Sequence, residues 1–147
     1  MSVKVTELHL KTDDLLFIPG ASANDMYYLQ NGKVLVFVSR GSQITPVAYL
    51  EKGEIIGELS FFDHEPRSAG VICLSDCSFI KIPSTIVEAK FPDWLKIMAL
   101  SLTKKIRHYD ELIRQKGLRK KNLQSLKPLT IEEQTKIYRR LEEHKRD

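Results

Sequence analysis

The stretch GEIIGELSFFDHEPRSAG, residues 53–70, decides how the rest of the sequence is interpreted. Its pattern predicts a strand that ends at Gly57, then a short helical turn over 58–62 and a loop closed by a proline. Glycine lets the backbone approach a ligand closely, and free N–H groups at the start of a helix bind anions. Arg67 lies nine residues after Glu58, and its guanidinium fork suits phosphate oxygens. The combination is typical of a site for a phosphorylated ligand.

Two further side chains in this stretch favour a compact nucleotide. Ionised Glu58 is a hydrogen-bond acceptor that suits a ribose hydroxyl. Ser60 is small, so it leaves the N–H groups at the start of the helical turn uncovered. From the residues alone a structural role for Arg67 stays open, because a carboxylate such as that of Glu58 can hold a guanidinium in place.

The first 90 residues predict an all-β sandwich or barrel. Turn signals recur about every ten residues, which is the spacing of short antiparallel strands. Asn31-Gly32 lies between two runs of aromatic and β-branched residues and predicts a hairpin. Two further strand pairs are predicted around Lys52-Gly53 and Ser75-Asp76.

A helical period replaces the strand pattern near Pro83. A second proline, Pro92, opens a predicted helix over about 93–121, which at 1.5 Å per residue is on the order of 40 Å long. Because this exceeds what a small β-domain covers, part of its apolar stripe is expected to pack against another chain, whereas Trp94 is expected to pack against the β-domain. The stripe consists of Leu95, Met98, Leu102, Ile106, Tyr109 and Ile113.

The last part of the chain is short, basic and helical. Thr130 and Glu133 form a capping box that predicts a final helix, whose thin apolar face consists of Ile131, Ile137, Tyr138 and Leu141. Residues 1–103 carry a net charge of −3 and residues 104–147 a net charge of +7. A basic tail is typical of proteins that bind nucleic acid, a membrane surface or an acidic partner, and it is equally the solvated face of a long helix.

Composition excludes several classes of protein. A chain of 147 residues with 42% hydrophobic and 29% charged residues suits one globular domain with an appendage. No apolar run approaches the ~20 residues of a membrane span, and the N-terminus lacks the pattern of a signal peptide, so a cytoplasmic protein is expected. Cys73 and Cys77 are too few for a disulfide framework and lack zinc-ligand grouping. No catalytic motif is recognised, and the four isolated histidines disfavour a metal-dependent barrel enzyme.

The motif and its surroundings resemble one known family. Ile56-Gly57-Glu58-Leu59-Ser60-Phe61 and Pro66-Arg67-Ser68-Ala69 are similar to the phosphate-binding cassette of the cyclic-nucleotide-binding domains. That family includes the catabolite activator protein, the regulatory subunits of the cyclic-AMP-dependent kinase and the cyclic-nucleotide-gated channels. Upstream, the segments FIPG at 17–20, DMYYL at 25–29 and GKV at 32–34 follow the family pattern, and the resemblance covers roughly residues 8–115.

The resemblance implies both a fold and a set of ligand-binding residues. The implied fold is mainly β with C-terminal helices: an antiparallel β-roll of the jelly-roll type over 1–92, then a helical lid, dimerisation region and basic tail over 93–147. Glu58 would accept from the ribose 2′-hydroxyl, while Arg67 and the backbone N–H groups of Leu59 and Ser60 would bind the cyclic phosphate. The implied set is Gly57, Glu58, Leu59, Ser60, Arg67, Ser68 and Ala69, with Tyr109 and Asp110 near the base.

The expected function is therefore that of a non-enzymatic sensor. It would bind a 3′,5′-cyclic purine nucleotide, with cAMP preferred and cGMP open because Ser68 can bond to either, and it would require no cofactor or metal. A homodimer and an unidentified effector protein are the expected partners. Sequence-specific DNA binding is not expected, because about 25 residues after the long helix are too few for a DNA-reading module. A scaffold or dimerisation module with an unused pocket is the alternative.

Overall fold

The described part of the chain contains eight strands and four helices, and three of the helices follow the last strand. The computed structural model describes residues 4–116 and 127–147, with side chains described for 4–112 and 127–147. The strands are β1 (Thr6–Leu10), β2 (Leu15–Phe17), β3 (Met26–Asn31), β4 (Val34–Arg40), β5 (Gln43–Leu50), β6 (Ile55–Ile56), β7 (Gly70–Cys73) and β8 (Cys77–Ile82). The helices are α1 (Glu58–Asp63), α2 (Thr85–Lys90), α3 (Asp93–Lys116) and α4 (Ile131–His144).

The strands form two four-stranded sheets with the inner core between them. One sheet has the order β1-β8-β3-β6 and the other β2-β7-β4-β5, and every pairing is antiparallel. The inner core consists of Tyr27, Leu29, Val34, Ile56, Val71, Cys73, Cys77 and Phe79. The predicted fold class, an antiparallel β-roll followed by helices, is confirmed.

The three predicted hairpins are wrong in their pairing. Asn31-Gly32 joins β3 in one sheet to β4 in the other, and within the described residues β4 and β5 are the one consecutive pair of strands that hydrogen-bond. A Cβ added to Gly32 would lie 2.5 Å from Cys77 Sγ and 2.6 Å from the Asp76 carbonyl oxygen. Gly32 therefore lies at the corner where the chain passes from β3 in one sheet to β4 in the other. It packs closely against the similar corner between β7 and β8.

The outer face of the β2-β7-β4-β5 sheet is covered by α4. Ile137 and Leu141 of this helix are buried on the sheet, and the backbone N–H of Ile44 on the edge strand β5 donates to Gln134 Oε1 at 3.0 Å. The outer cluster consists of Leu35, Phe37, Ile44, Ile72, Leu129, Ile137 and Leu141. This sheet is therefore apolar on both faces.

The capping box predicted for α4 is confirmed, but one residue of its predicted apolar face is not. Glu133 N–H donates to Thr130 Oγ1 at 3.2 Å and Thr130 N–H donates to Glu133 Oε1 at 3.1 Å. Ile131 is 83% exposed, since six residues of helix turn it about 120° away from Ile137.

Two cations of the basic tail form ion pairs within the chain. Lys136 Nζ lies 2.7 Å from Asp13 Oδ1. Arg140 donates from Nε to the Asp13 carbonyl at 3.0 Å and pairs with Asp14 Oδ1 at 3.3 Å. These contacts hold α4 against the turn between β1 and β2, so this part of the positive charge has a structural role.

The long helix α3 packs against α1, and Leu95, Ala99, Thr103 and Arg107 are among its less exposed residues. Thr103 is 3% exposed and donates from Oγ1 to the Ala99 carbonyl at 2.8 Å. Most of the predicted stripe faces solvent, since Leu102 is 52% and Tyr109 60% exposed, but its first residue, Leu95, is half-buried. The expected packing of Trp94 is wrong, because this side chain is 66% exposed. The side chain of Ile113 and the predicted helical residues beyond 116 lie outside the described residues.

A membrane-spanning helix is not found in the described ranges. None of their helices combines the length and the apolar character that crossing a bilayer requires.

Candidate functional site

Gly57 shapes the start of α1. It has φ 81°, and no side chain caps the helix, which leaves the first N–H groups of α1 without a side-chain acceptor. A Cβ added to Gly57 would lie 2.6 Å from Arg67 Nη1 and 3.2 Å from the Asp25 carbonyl oxygen. Glycine is thus favoured twice at this position, by the left-handed backbone and by the close approach of a guanidinium.

Arg67 is buried beneath this turn, with 4% of its surface exposed. Nη1 donates to the Gly57 carbonyl at 2.9 Å and Nη2 donates to the Asp25 carbonyl at 2.5 Å. The guanidinium carbon lies 4.3 Å from the centre of the Phe17 ring, which is within the range of a cation–π contact. The position of the guanidinium is therefore fixed before any ligand binds.

The backbone of Arg67 is held as firmly as its side chain. Its N–H donates to the Ala21 carbonyl at 2.8 Å, and its carbonyl accepts from Gly20 N–H at 2.7 Å. The loop between β2 and β3 therefore holds Arg67 from one side while the start of α1 holds it from the other.

The guanidinium retains unused donors. Arg67 Nε is buried and, among the described residues, has no hydrogen-bond partner. A guanidinium has five N–H groups, and the two contacts to carbonyls use two of them. A buried charged donor without an acceptor is costly, so this atom marks a place where an anionic acceptor would be strongly favoured.

Burial and nearby groups act in opposite directions on this cation. Burial lowers the pKa of Arg67 from its usual value, while Tyr27, Asp25 and Glu58 raise it. An arginine pKa starts so high that the group stays protonated at neutral pH. Within the ranges that the structure describes, no carboxylate is paired directly with this positive charge.

The structure brings most of the predicted site residues together. Gly57, Glu58, Leu59 and Ser60 form the start of α1, with Ser60 buried at 2% exposure and Glu58 exposed. Ser68 and Ala69 directly follow Arg67, the first exposed and the second half-buried. Their assignment as ligand-binding residues stays a prediction.

Among the described residues, no hydrogen bond or ion pair joins Tyr109 or Asp110 to this group. Both are exposed on α3, on the side where the apolar stripe faces solvent. Their predicted place near the base thus requires a further element, and in the sequence-based prediction that element is a second copy of the chain.

Sequence reasoning missed the residues that position Arg67. Asp25 supplies its carbonyl to Arg67 and its carboxylate to Lys81 Nζ at 3.3 Å. Phe17 lies against the guanidinium and is 6.2 Å from the Tyr27 ring. The sequence segments 17–20 and 25–29, which contain these residues, matched the family pattern. Their contact with Arg67 could not be predicted because it joins residues 42 or more positions apart.

A second missed feature connects α1 to α3. Arg107 on α3 forms a two-pronged ion pair with Asp63, the last residue of α1, through Nε to Oδ2 and through Nη2 to Oδ1 at 3.0 Å. Beside the pair lies a cleft of about 550 Å³ lined by Asp63, Glu65, Pro66, Leu100, Lys104 and Arg107. In the described parts of the chain no group of three or more His, Cys, Asp or Glu side chains is placed to hold a metal ion.

The comparisons with known proteins show the family and the fold of the chain. The sequence profile of the cyclic nucleotide-binding domain matches residues 7–91, more than half of the chain. A comparison with curated proteins found no match to this chain.

Several solved structures share the fold. The EAL enzyme Bd1971 in its cAMP-bound form is 21% identical, with a TM-score of 0.66 over 78% of this chain and 31% of that one. The catabolite activator protein of Thermus thermophilus is 22% identical, with a TM-score of 0.63 over 78% of this chain and 54% of that one. The regulatory domain of Toxoplasma gondii PKA with cAMP is 17% identical, with a TM-score of 0.59 over 71% of this chain and 39% of that one. This chain therefore spans from 31% to 54% of the length of these proteins.

Proposed function

Because the chain belongs to the cyclic nucleotide-binding domain family, we propose that it is a sensor that binds a 3′,5′-cyclic purine mononucleotide, with cAMP as the preferred ligand. The cyclic phosphate binds at Arg67 and at the start of α1, and Glu58 accepts from the ribose 2′-hydroxyl. The domain binds its ligand without chemical change, and α3 relays binding to an effector protein.

One observation carries this proposal: the guanidinium of Arg67 is buried and fixed, yet its Nε lacks an acceptor. A cyclic phosphate has one negative charge and two exocyclic oxygens, so it can accept from Nε and from a free Nη proton together. The uncapped N–H groups of Leu59 and Ser60 at the start of α1 supply further donors.

The preference for cAMP is supported by the neighbours and by the α3 residues. The structures of Bd1971 and of the Toxoplasma PKA domain contain cAMP, and Bd1971 also has a cGMP-bound form. We assign Tyr109 and Asp110 to the base, because a tyrosine ring stacks on purines and a carboxylate accepts from an exocyclic amine.

Homodimerisation through α3 is the second part of the proposal. Met98, Leu102, Ile106 and Tyr109 are all exposed and follow one side of the helix. A contiguous apolar strip of this kind marks an interface, and two copies related by a two-fold axis bury it most simply. The seam would place Tyr109 and Asp110 of one copy within reach of a nucleotide.

A second function has some support from the same contacts. In a scaffold with an unused pocket, the bonds from Arg67 to the Gly57 and Asp25 carbonyls would simply tie the turn to the loop before β3. The unpartnered Nε favours the sensor, because a purely structural arginine gains nothing from a buried donor without an acceptor.

Calorimetric titration of the full chain decides between the two functions. The panel is cAMP, cGMP, 2′-deoxy-cAMP, 5′-AMP and a cyclic dinucleotide. The sensor predicts saturable binding of cAMP, weaker binding of cGMP and of the 2′-deoxy ligand, and little binding of 5′-AMP. Absence of heat with every cyclic mononucleotide would favour the scaffold.

A further inference from the structure

Polar side chains take part in the attachment of α3 to the roll. Met98, Leu102, Ile106 and Tyr109 face solvent. Thr103 is buried and Arg107, four residues on, is half-buried, as are the apolar Leu95 and Ala99. Thr103 uses its hydroxyl within its own helix. Arg107 makes a directed bond from α3 to α1.

The Asp63–Arg107 pair has the geometry of a specific contact. Both Asp63 oxygens accept from the guanidinium, and 15% of the Asp63 side chain and 24% of the Arg107 side chain is exposed. Burial acts to raise the pKa of Asp63, but the bonds from Arg107 and from the Glu65 backbone outweigh it and hold that pKa below its usual value. A forked and shielded pair is stronger and less sensitive to salt than a surface pair.

Asp63 also organises the loop that leads to Arg67. Its Oδ1 accepts from the backbone N–H of Glu65 at 3.0 Å, so one carboxylate binds both α3 and the loop. The loop then runs through Pro66 to Arg67, which bonds to Gly57 at the opposite end of α1. A change in the position of α1 must therefore alter the contact with α3.

We infer that Asp63 and Arg107 are positioning residues for the ligand site. Their ion pair holds α1 and the loop before Arg67 against α3, so that nucleotide binding and the docking of α3 stabilise each other. The inference rests on the proposed function for its ligand, and on the geometry of the ion pair for its mechanism.

The test compares three single variants of the full chain. Asp63→Asn removes the charge but keeps an oxygen that can accept from Glu65 N–H, and Arg107→Gln removes the other partner. Lys105→Gln is the matched control, because it removes the same charge from an exposed position on the same helix. Hydrogen exchange over α3 residues 99–110 and calorimetric affinity for cAMP are measured for each.

The expected result is specific to the pair. Asp63→Asn and Arg107→Gln should each speed exchange of α3 without nucleotide and weaken cAMP binding by about three- to tenfold, as expected for a coupled contact. Combining the two changes should cost no more than one of them, and the swapped pair Asp63→Arg with Arg107→Asp should recover part of the effect. The Lys105→Gln variant should match the unaltered chain.

Two results would overturn the inference. One is wild-type exchange and affinity in both partner variants, and the other is a double variant whose losses simply add. Binding of no cyclic nucleotide by the unaltered chain is a failure of the proposed function instead. In that case the exchange of α3 without nucleotide still decides whether the ion pair holds the helix.

Discussion

At the scale of single residues, the site depends on a cation that the protein fixes without neutralising. Two backbone carbonyls and an aromatic face orient Arg67. Neutral partners of this kind stabilise the position of a guanidinium while leaving its charge available to an anion. A carboxylate in the same place would compete with the phosphate.

Replacing Arg67 tests this role directly. Arg67→Ala should weaken cAMP binding at least about tenfold, since bonds to charged groups contribute about 1.5–3 kcal/mol each. Arg67→Lys should restore only part of the affinity because lysine lacks the fork. Calorimetry measures affinity, and circular dichroism checks that both variants fold. Near-normal affinity in the alanine variant would show that the phosphate binds elsewhere.

The glycine before α1 offers a prediction with a matched control. Gly57→Ala forces a side chain to φ 81° and into contact with Arg67 Nη1, so it should lower both stability and cAMP affinity. Gly53 has φ 97° but open space around its Cβ position. Gly53→Ala should therefore lower the free energy of unfolding by a comparable backbone cost of about 1 kcal/mol and leave affinity unchanged. Equal affinity in both variants would contradict the proposed contact.

At the scale of elements, α4 is an integral part of the roll. Ile137→Ala or Leu141→Ala should each destabilise the fold by about 2–4 kcal/mol, because each leaves a cavity over the sheet. Ile131→Ala, on the same helix but 83% exposed, should change stability by about 0.5 kcal/mol or less. Urea unfolding measures all three. Equal stability in the three variants would mean that α4 is not docked in solution.

Local pattern predicted the elements but not all of their partners. The β-rich first part, the long helix and the T-x-x-E cap follow from short-range preferences, and the structure has them. The pairing of β3 with β8 joins residues such as Met26 and Ile82, and that of β4 with β7 joins residues such as Val34 and Cys73, which are far apart in sequence. A two-residue turn such as Asn31-Gly32 specifies a reversal of the chain and not which sheet the next strand enters.

The same limit applies to the faces of α3 and to the site. A period near 3.6 identified the apolar stripe, but periodicity alone does not tell a stripe that meets the roll from one that faces a partner. The motif identified Arg67 and the turn at Gly57 because these are close in sequence. Asp25, Phe17 and the Asp63–Arg107 pair depend on contacts that only the folded chain creates.

At the scale of the whole molecule, the exposed α3 stripe predicts the assembly. Leu102→Glu places a charge at the centre of the stripe and should convert a dimer into a monomer. Ser101→Glu is the control, since this exposed position is turned about 100° off the stripe. Light scattering at high micromolar concentration, with and without cAMP, measures the mass. A monomeric unaltered chain in both states would refute the dimer.

The double-sided sheet has a consequence for how the protein is made. Strands β2, β4, β5 and β7 leave the ribosome well before residues 131–144. The side chains of Phe37, Ile44 and Ile72 on the outer face of the sheet therefore remain exposed to solvent until α4 emerges. The contact from Arg140 to Asp13 spans 127 residues, and such distant closures form late and slowly. A nascent or prematurely terminated chain therefore displays an apolar sheet face, which is the kind of surface that chaperones bind and proteases survey.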